Sequence, residues 1–316
     1  MGRRATGFRL NGLLIAGVVY GALAAIGLAY DAAVRRRYPP RGRMVETVDG
    51  TRHVTEAGRG DVLVLLHGAN GNATDFPEAL ISELARHFRV IVPDRPGHGH
   101  SRRSITGRLD LSGEARAVIS LLDALGVQRA HLLGHSYGGA LVLRTALDAP
   151  DRIAGVLAVA PIGRVTGSTR IWVGLSGLGR FADAAVLALG VPVGRFASPG
   201  TRADAWHPAP VPGGWSASRA FPLSPIQIQA SLGNLAALEG DLARLTEDLK
   251  AASLVAHVMV GEGDRITPSR ENAAPLARAG RLTLETFPES GHWLVRTHIE
   301  QVASAARGIA RKSRTV

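Results

Sequence analysis

From Leu10 to Tyr30 the chain reads LNGLLIAGVVYGALAAIGLAY, a run without charge whose one strongly polar residue is Asn11. At 1.5 Å per residue a helix of this length reaches about 30 Å, the thickness of a bilayer's hydrocarbon core. The run is apolar on every side and bracketed by arginines, which predicts a single membrane-spanning helix, with residues 1–37 as the anchor. A buried helix of the globular part and a cleaved signal peptide are the competing readings. AYDAA is a poor small-x-small cleavage site, and the residues after Arg3-Arg4 do not make a twin-arginine export signal.

Past Tyr38-Pro39-Pro40-Arg41-Gly42, whose prolines hold the backbone extended, short apolar runs alternate with amphipathic stretches. MVETV and RHVTEA flank Asp49-Gly50 as an opening hairpin. VLVLLH, FRVIVPD, AHLLGHS, IAGVLAVAP, LVAHVMVGEGD and RLTLETFPES follow as strands. A stretch as continuously apolar as Val62 to Leu66 belongs inside a sheet covered on both faces. EARAVISLLDALG and GALVLRTALDAP have helical spacing and end at glycine or proline, as helices closing over a parallel sheet do. The expected architecture is an α/β core from residues 38–161 and 251–316. Between them, residues 162–250 add no strand: glycine-rich turns, the cluster HPAPVPGGW and the helical stretches FADAAVLALG and QIQASLGNLAALEGDLARL interrupt the alternation. An insertion here sits over the carboxyl ends of the strands, where open α/β sheets bind ligands, and is expected to form a helical lid. Helices packed at the sheet edge, leaving the pocket open, are the alternative.

Charge changes this picture little. The formal net charge is +11, but the stretch up to residue 43 holds eight arginines against the single acid Asp31, which accounts for +7 of it. The remaining chain has no basic stripe interleaved with aromatics, so no nucleic-acid partner is expected. Arg35, Arg36 and Arg37, directly after the apolar run, favour a cytoplasmic catalytic domain. Gly17, Gly21 and Ala25 form a small-xxx-small stripe that would let spans associate. With zero cysteines there is no disulfide, no thiol nucleophile and no thiolate metal site, and the compartment stays open.

The chemistry turns on GHSYGG, where Gly134, Ser136 and Gly138 make G-x-S-x-G between an apolar strand and an apolar helix. In that context the motif reads as a nucleophile elbow, a sharp turn that exposes the serine hydroxyl above the sheet. A serine hydroxyl is a weak nucleophile near neutral pH and needs a base, oriented in turn by a third group. His292 in PESGHW and Asp264 in GEGD each follow a strand and fall on the same sheet edge as the elbow, in the order serine, acid, histidine. Glu262, two residues from Asp264, is a rival acid, Asp94 in the DRPG turn another, and His298 an alternative base. His98 and His100 have a spacing that invites a metal but lack an acid cluster, so neither metal nor cofactor is expected.

With LLHG, DRPGHGHS, GHSYGG, GEGD and ESGHW in place, the chain resembles the lidded hydrolases of the α/β-hydrolase fold over residues 44–310. The resemblance implies a mostly parallel central sheet flanked by helices, with Ser136 as nucleophile, His292 as base then acid, and Asp264 as the orienting acid. It also implies an oxyanion hole from the backbone N–H groups of Ala69, in LLHGANGN, and Tyr137. Asn70 either assists there or simply forms the turn, and His67 and His135 hydrogen-bond loops. The implied reaction is hydrolysis of a carboxylic ester, with a lipophilic small-molecule ester suggested by the apolar insertion and the anchor. Other bonds cleaved by similar triads, and a non-catalytic ligand-binding role, are the alternatives.

Overall fold

The apolar runs become eight strands: β1 (Arg43–Thr47), β2 (Gly50–Ala57), β3 (Val62–Leu66), β4 (Arg89–Pro93), β5 (Ala130–His135), β6 (Ile153–Val159), β7 (Ala256–Gly261) and β8 (Thr283–Phe287). They belong to a computed structural model that describes residues 3–103, 109–166, 169–213 and 217–314; Gly214 and Trp215 of HPAPVPGGW lie outside the described residues. The strands form one sheet in the order β1-β2-β4-β3-β5-β6-β7-β8. β2 runs antiparallel to both its neighbours, and the rest pair in parallel. β5, which ends at the elbow, is buried along its whole length between β3 and β6.

Twelve α-helices surround the sheet among the described residues: α1 (Arg3–Arg37), α2 (Glu78–Ala85), α3 (Leu111–Ala124), α4 (Tyr137–Asp148), α5 (Thr169–Ser176), α6 (Arg180–Trp206), α7 (Ala217–Ala220), α8 (Pro225–Leu235), α9 (Leu238–Ala251), α10 (Ala273–Gly280), α11 (Leu294–Thr297) and α12 (Ile299–Lys312). One face of the sheet is covered by α3, α4, α9 and α10, through side chains such as Leu122, Leu141, Leu245 and Leu276. The other is covered by α2, α11 and α12, through Leu80, Leu84, Leu294 and Val302. The strands read as continuous apolar runs because both faces are sealed.

Two expected boundaries shift. Residues 162–250 divide: α5 to α8 roof the strand ends, whereas α9 buries Leu238, Leu242, Leu245 and Leu249 in the core beside α4. The last thirteen residues of the expected lid, 238–250, therefore pack as a sheet-covering helix. Residues 1–37 also divide. Leu14 to Ala22 are exposed on every side, but beyond them Ala24, Gly27, Asp31 and Val34 form a buried stripe at helical spacing where α1 lies on α6 and α8. A Cβ at Gly27 would stand 2.4 Å from the Leu187 carbonyl oxygen, so only glycine permits that approach. Asp31 accepts from Ser224 Oγ at the start of α8 and pairs with Arg35 at 2.7 Å, and Arg35 donates to the Gly99 carbonyl. The second half of the apolar helix is thus built into the roof. Gly17 and Gly21, by contrast, have nothing within 4 Å.

Candidate active site

Ser136 sits between β5 and α4 with φ 59° and ψ −118°, a strained conformation for a residue with a side chain. Its neighbours are glycines for a steric reason visible at each position. A Cβ at Gly134 would lie 2.0 Å from the Gly138 carbonyl oxygen, and one at Gly138 would lie 2.1 Å from that of Leu66. The turn is held from behind by the Ser136 N–H, which donates to the Val159 carbonyl at 2.9 Å.

His292 comes from the loop after β8 and Asp264 from the loop after β7. His292 Nδ1 lies 2.7 Å from Asp264 Oδ2, with both side chains buried, which leaves Nε2 for a partner on the Ser136 side. Asp264 is fixed by the N–H groups of Ile266 and Thr267 on Oδ1, at 2.8 and 2.9 Å, and by Thr267 Oγ1 on Oδ2 at 2.8 Å. Burial works to raise the Asp264 carboxyl, but the attraction and hydrogen bond of His292, with those of Thr267, hold it down at about 2. The acid is ionised at any working pH.

Glu262, the rival acid, is exposed. Asp94 lies at 2.8 Å from His53 and accepts the N–H groups of Ala73 and His100, so it organises the turn after β4. Burial would raise its carboxyl as well, but these bonds keep it below the ordinary range. His298 is engaged with Ser290 Oγ and Thr297 Oγ1. His98 contacts the Pro96 carbonyl and Ser231 Oγ, and His100 the Tyr38 carbonyl.

Ala69 and Tyr137 line the same cavity as Ser136 and His292, a space of about 500 Å³ under the roof. The loop carrying Ala69 is clamped from below. His67 accepts the Arg95 N–H on Nε2 at 2.9 Å and contacts the Gly68 carbonyl through Nδ1 at 3.0 Å. Burial and the Arg95 charge push its imidazole down to about 3, so it stays neutral. Arg95 Nη2 donates to the same carbonyl at 3.0 Å, its guanidinium lies 4.6 Å from the centre of the Tyr137 ring, and Glu114 pairs with it at 3.2 Å. Asn70 adopts φ 51°, donates to the Pro222 carbonyl and accepts from Ser231, which fits the turn reading. His135, also pushed down to about 3 by burial, donates from Nε2 to the His292 carbonyl at 2.9 Å and stacks on Trp293. It fastens the loop of His292 to β5.

Thr267, Asp75, Arg202, Arg219 and Arg296 also line the cavity outside every quoted motif, and Trp293, the last residue of ESGHW, lines it without having been singled out. Thr267 had a signal in D-x-x-T, an aspartate followed by backbone donors two and three residues on. The arginines come from separate elements and had none.

A family model described as the alpha/beta hydrolase family matches residues 63–305, and the chain belongs to that family. Proteins it resembles carry hydrolase and esterase names. The 2-hydroxy-6-oxo-6-phenylhexa-2,4-dienoate hydrolase of Burkholderia cepacia is 36% identical over 114 residues, covering 35% of this chain and 40% of that protein. The match therefore spans well under half of that relative. A thermophilic esterase from Thermogutta terrifontis shares the fold with a TM-score of 0.68 and 25% identity, over 86% of this chain and 98% of its own. A membrane phospholipase A described as a bacterial virulence factor has a TM-score of 0.65 at 18% identity over 100% of both chains, so the likeness in fold includes α1.

Proposed function

We propose that this chain is a membrane-anchored serine hydrolase that cleaves lipophilic carboxylic esters through an acyl-enzyme. The observation that carries the reading is a strained Ser136 opening into one cavity with His292, whose other nitrogen is held 2.7 Å from an ionised Asp264. In this mechanism Nε2 of His292 takes the Ser136 proton as Oγ attacks the ester carbonyl. The Ala69 and Tyr137 N–H groups stabilise the oxyanion, His292 returns the proton to the leaving alcohol, and water releases the acid.

The lipophilic part of the reading is supported by the cavity wall of Ile162, Trp172, Ile228, Leu232 and Leu235, under a lid formed by α5 to α8. The anchor is supported by length and composition: α1 is apolar and long enough to cross a bilayer, as is α6. The roof also exposes the large apolar side chains Ile171, Leu178, Val193, Phe181 at 85% and Phe196 at 90%, which suits contact with a lipid surface.

The test is labelling of the full chain in non-ionic detergent with a fluorophosphonate probe, the modified residue being read by mass spectrometry. Label on Ser136 that is absent from Ser136→Ala supports the reading, and a folded, unlabelled wild type overturns it. A second reading, hydrolysis of a carbon–carbon bond beside a ketone, is favoured by the dienoate hydrolase relative. It predicts that the unlabelled enzyme consumes that dienoate faster than it cleaves esters.

A further inference from the structure

The walls of the cavity are chemically unequal, and the inequality follows the two faces of the sheet. Ile162 and Leu235 belong to the core on the α3/α4 face, with Trp172 packed against it, and Trp172 also packs with Ile228 and Leu232. That end is apolar. On the α2/α12 face, the turn Ala73–Asp75 and the segment Trp293–Val295 belong to the other core. Asp75, Arg219 and Arg296 line the cavity there. They form one group: Arg296 donates to the Thr74 carbonyl at 2.7 Å, α7 lies against the turn Ala73–Asp75, and both Asp75 and Arg219 act electrostatically on Arg296. Arg202 adds a further guanidinium from α6.

Three arginines thus meet one carboxylate among the described residues lining the cavity. Burial pushes the Asp75 carboxyl up to about 7, against the pull of Arg296, so near neutral pH it carries only part of its charge. The three guanidinium groups are half-buried, Arg219 also donating to the Pro212 carbonyl, and a guanidinium's planar fork matches carboxylate or phosphate.

The chain order says which part of the substrate reaches this end. Arg296 follows His292 by four residues, and its guanidinium lies 5.5 Å from the ring of Trp293. His292 must deliver its proton to the departing oxygen, so the leaving group lies on the His292 side and the acyl chain on the apolar side.

We infer that the cavity selects esters whose leaving alcohol carries an anionic group, a carboxylate or a phosphate, held by Arg296 and Arg219, while an uncharged acyl chain fills the Trp172/Leu232/Leu235 end. The inference rests on the acyl-enzyme reading above. In the step it describes, the bond from Ser136 Oγ to the acyl carbon forms, the bond from that carbon to the alcohol oxygen breaks, and the proton on His292 goes to that oxygen. The anion takes no part in the bond changes.

The experiment compares matched pairs with the full chain in non-ionic detergent. One pair is 4-nitrophenyl octanoate and 3-carboxy-4-nitrophenyl octanoate; the other is 1-octanoylglycerol and its 3-phosphate. The expected result is a kcat/KM about tenfold or more higher for the charged member of at least one pair, the pair showing whether carboxylate or phosphate is preferred. That ratio is expected to collapse in both Arg296→Gln and Arg219→Gln, each checked for folding by probe labelling of Ser136. Equal turnover within both pairs, preference for the neutral members, or a preference that survives both substitutions overturns the anion site and leaves the hydrolase reading standing. An unlabelled Ser136 with no turnover overturns that reading, and the anion site with it. If Ser136 labels but neither pair turns over, the anion site stands only if octyl phosphate slows labelling more than octanol does.

Discussion

Asp264 and Asp75 lie in one active-site region, and burial moves both carboxyls in the same direction. What separates them is hydrogen bonding. Asp264 receives two backbone N–H groups, a hydroxyl and an imidazole, and stays ionised; Asp75 receives one long bond from the Asn72 N–H at 3.3 Å and rises. Asp264→Asn, which leaves the shape but presents the wrong hydrogen-bonding partner to His292, is expected to lower kcat by about 10³–10⁴ in protein whose thermal transition shows it folded. The two acids also leave opposite signatures on stability. The Asp264 contribution is complete above its ordinary value of 3.8 and is lost only as pH falls towards 2. Asp75 holds a proton in the folded state that the unfolded chain has released, so its burial costs stability as pH rises from about 4 to about 7. Asp75→Asn is therefore expected to raise Tm more at pH 8 than at pH 5. An equal shift at both would show that Asp75 is ionised throughout. The sequence reading favoured Asp264 as the orienting acid, with Glu262 and Asp94 as rivals. The backbone donors at 266 and 267 that hold Asp264 beside His292 support that proposal, and a pattern of residue types does not display them.

At the scale of elements, legibility followed how much each buries. The inner strands β3 to β7 were readable because double coverage makes them nearly continuously apolar, whereas β1 and β2 were read from the turn at Asp49-Gly50 and the exposed edge strand β8 from its short alternating run. The length of α6 was not: Gly190, Pro192, Gly194, Pro199 and Gly200 each argue against helix, yet packing against α1 and α8 carries it from Arg180 to Trp206. α12 buries mostly alanine beside Val302 and Ile309, a weak apolar signal. The docking of α1 was hidden for the opposite reason, since a stripe of Ala24, Gly27 and Val34 cannot be seen against an apolar background. It makes a sharp prediction. Gly27→Val forces a side chain into the Leu187 carbonyl and is expected to cost about 1–3 kcal/mol, seen as a lower Tm in detergent. Gly17→Ala and Gly21→Ala, with open space around them, are expected to leave Tm unchanged. A Gly27→Val protein as stable as wild type would mean that α1 does not rest on α6.

For the molecule as a whole, the docked half of α1 sets where the chain can be shortened. Removing residues 1–22 takes away the exposed part of the helix and leaves Ala24, Gly27, Asp31 and Val34 in place. Removing residues 1–37 strips α6 and α8 of their cover and Ser224 of its Asp31 partner. The shorter deletion is expected to keep probe labelling and the thermal transition, and the longer one to lower Tm and favour aggregation. Equal behaviour of the two would show that the docked half adds nothing to the fold.

The reacting groups and the ceiling above them have separate addresses in the chain. Ser136, Asp264, His292 and the Ala69 loop all hang from the ends of sheet strands, while the apolar covering comes from one contiguous stretch between β6 and α9. Genetic exchange of that single stretch would deliver a new acyl-chain preference to an unaltered reaction, because no bond among the three reacting side chains runs through it. Asp75 and Arg296 stay behind in such a graft, since they too descend from the sheet side. Arg219 and Arg202 travel with the stretch, so descendants that trade ceilings would differ in the acid they release and would keep only the Arg296 share of the preference for the alcohol.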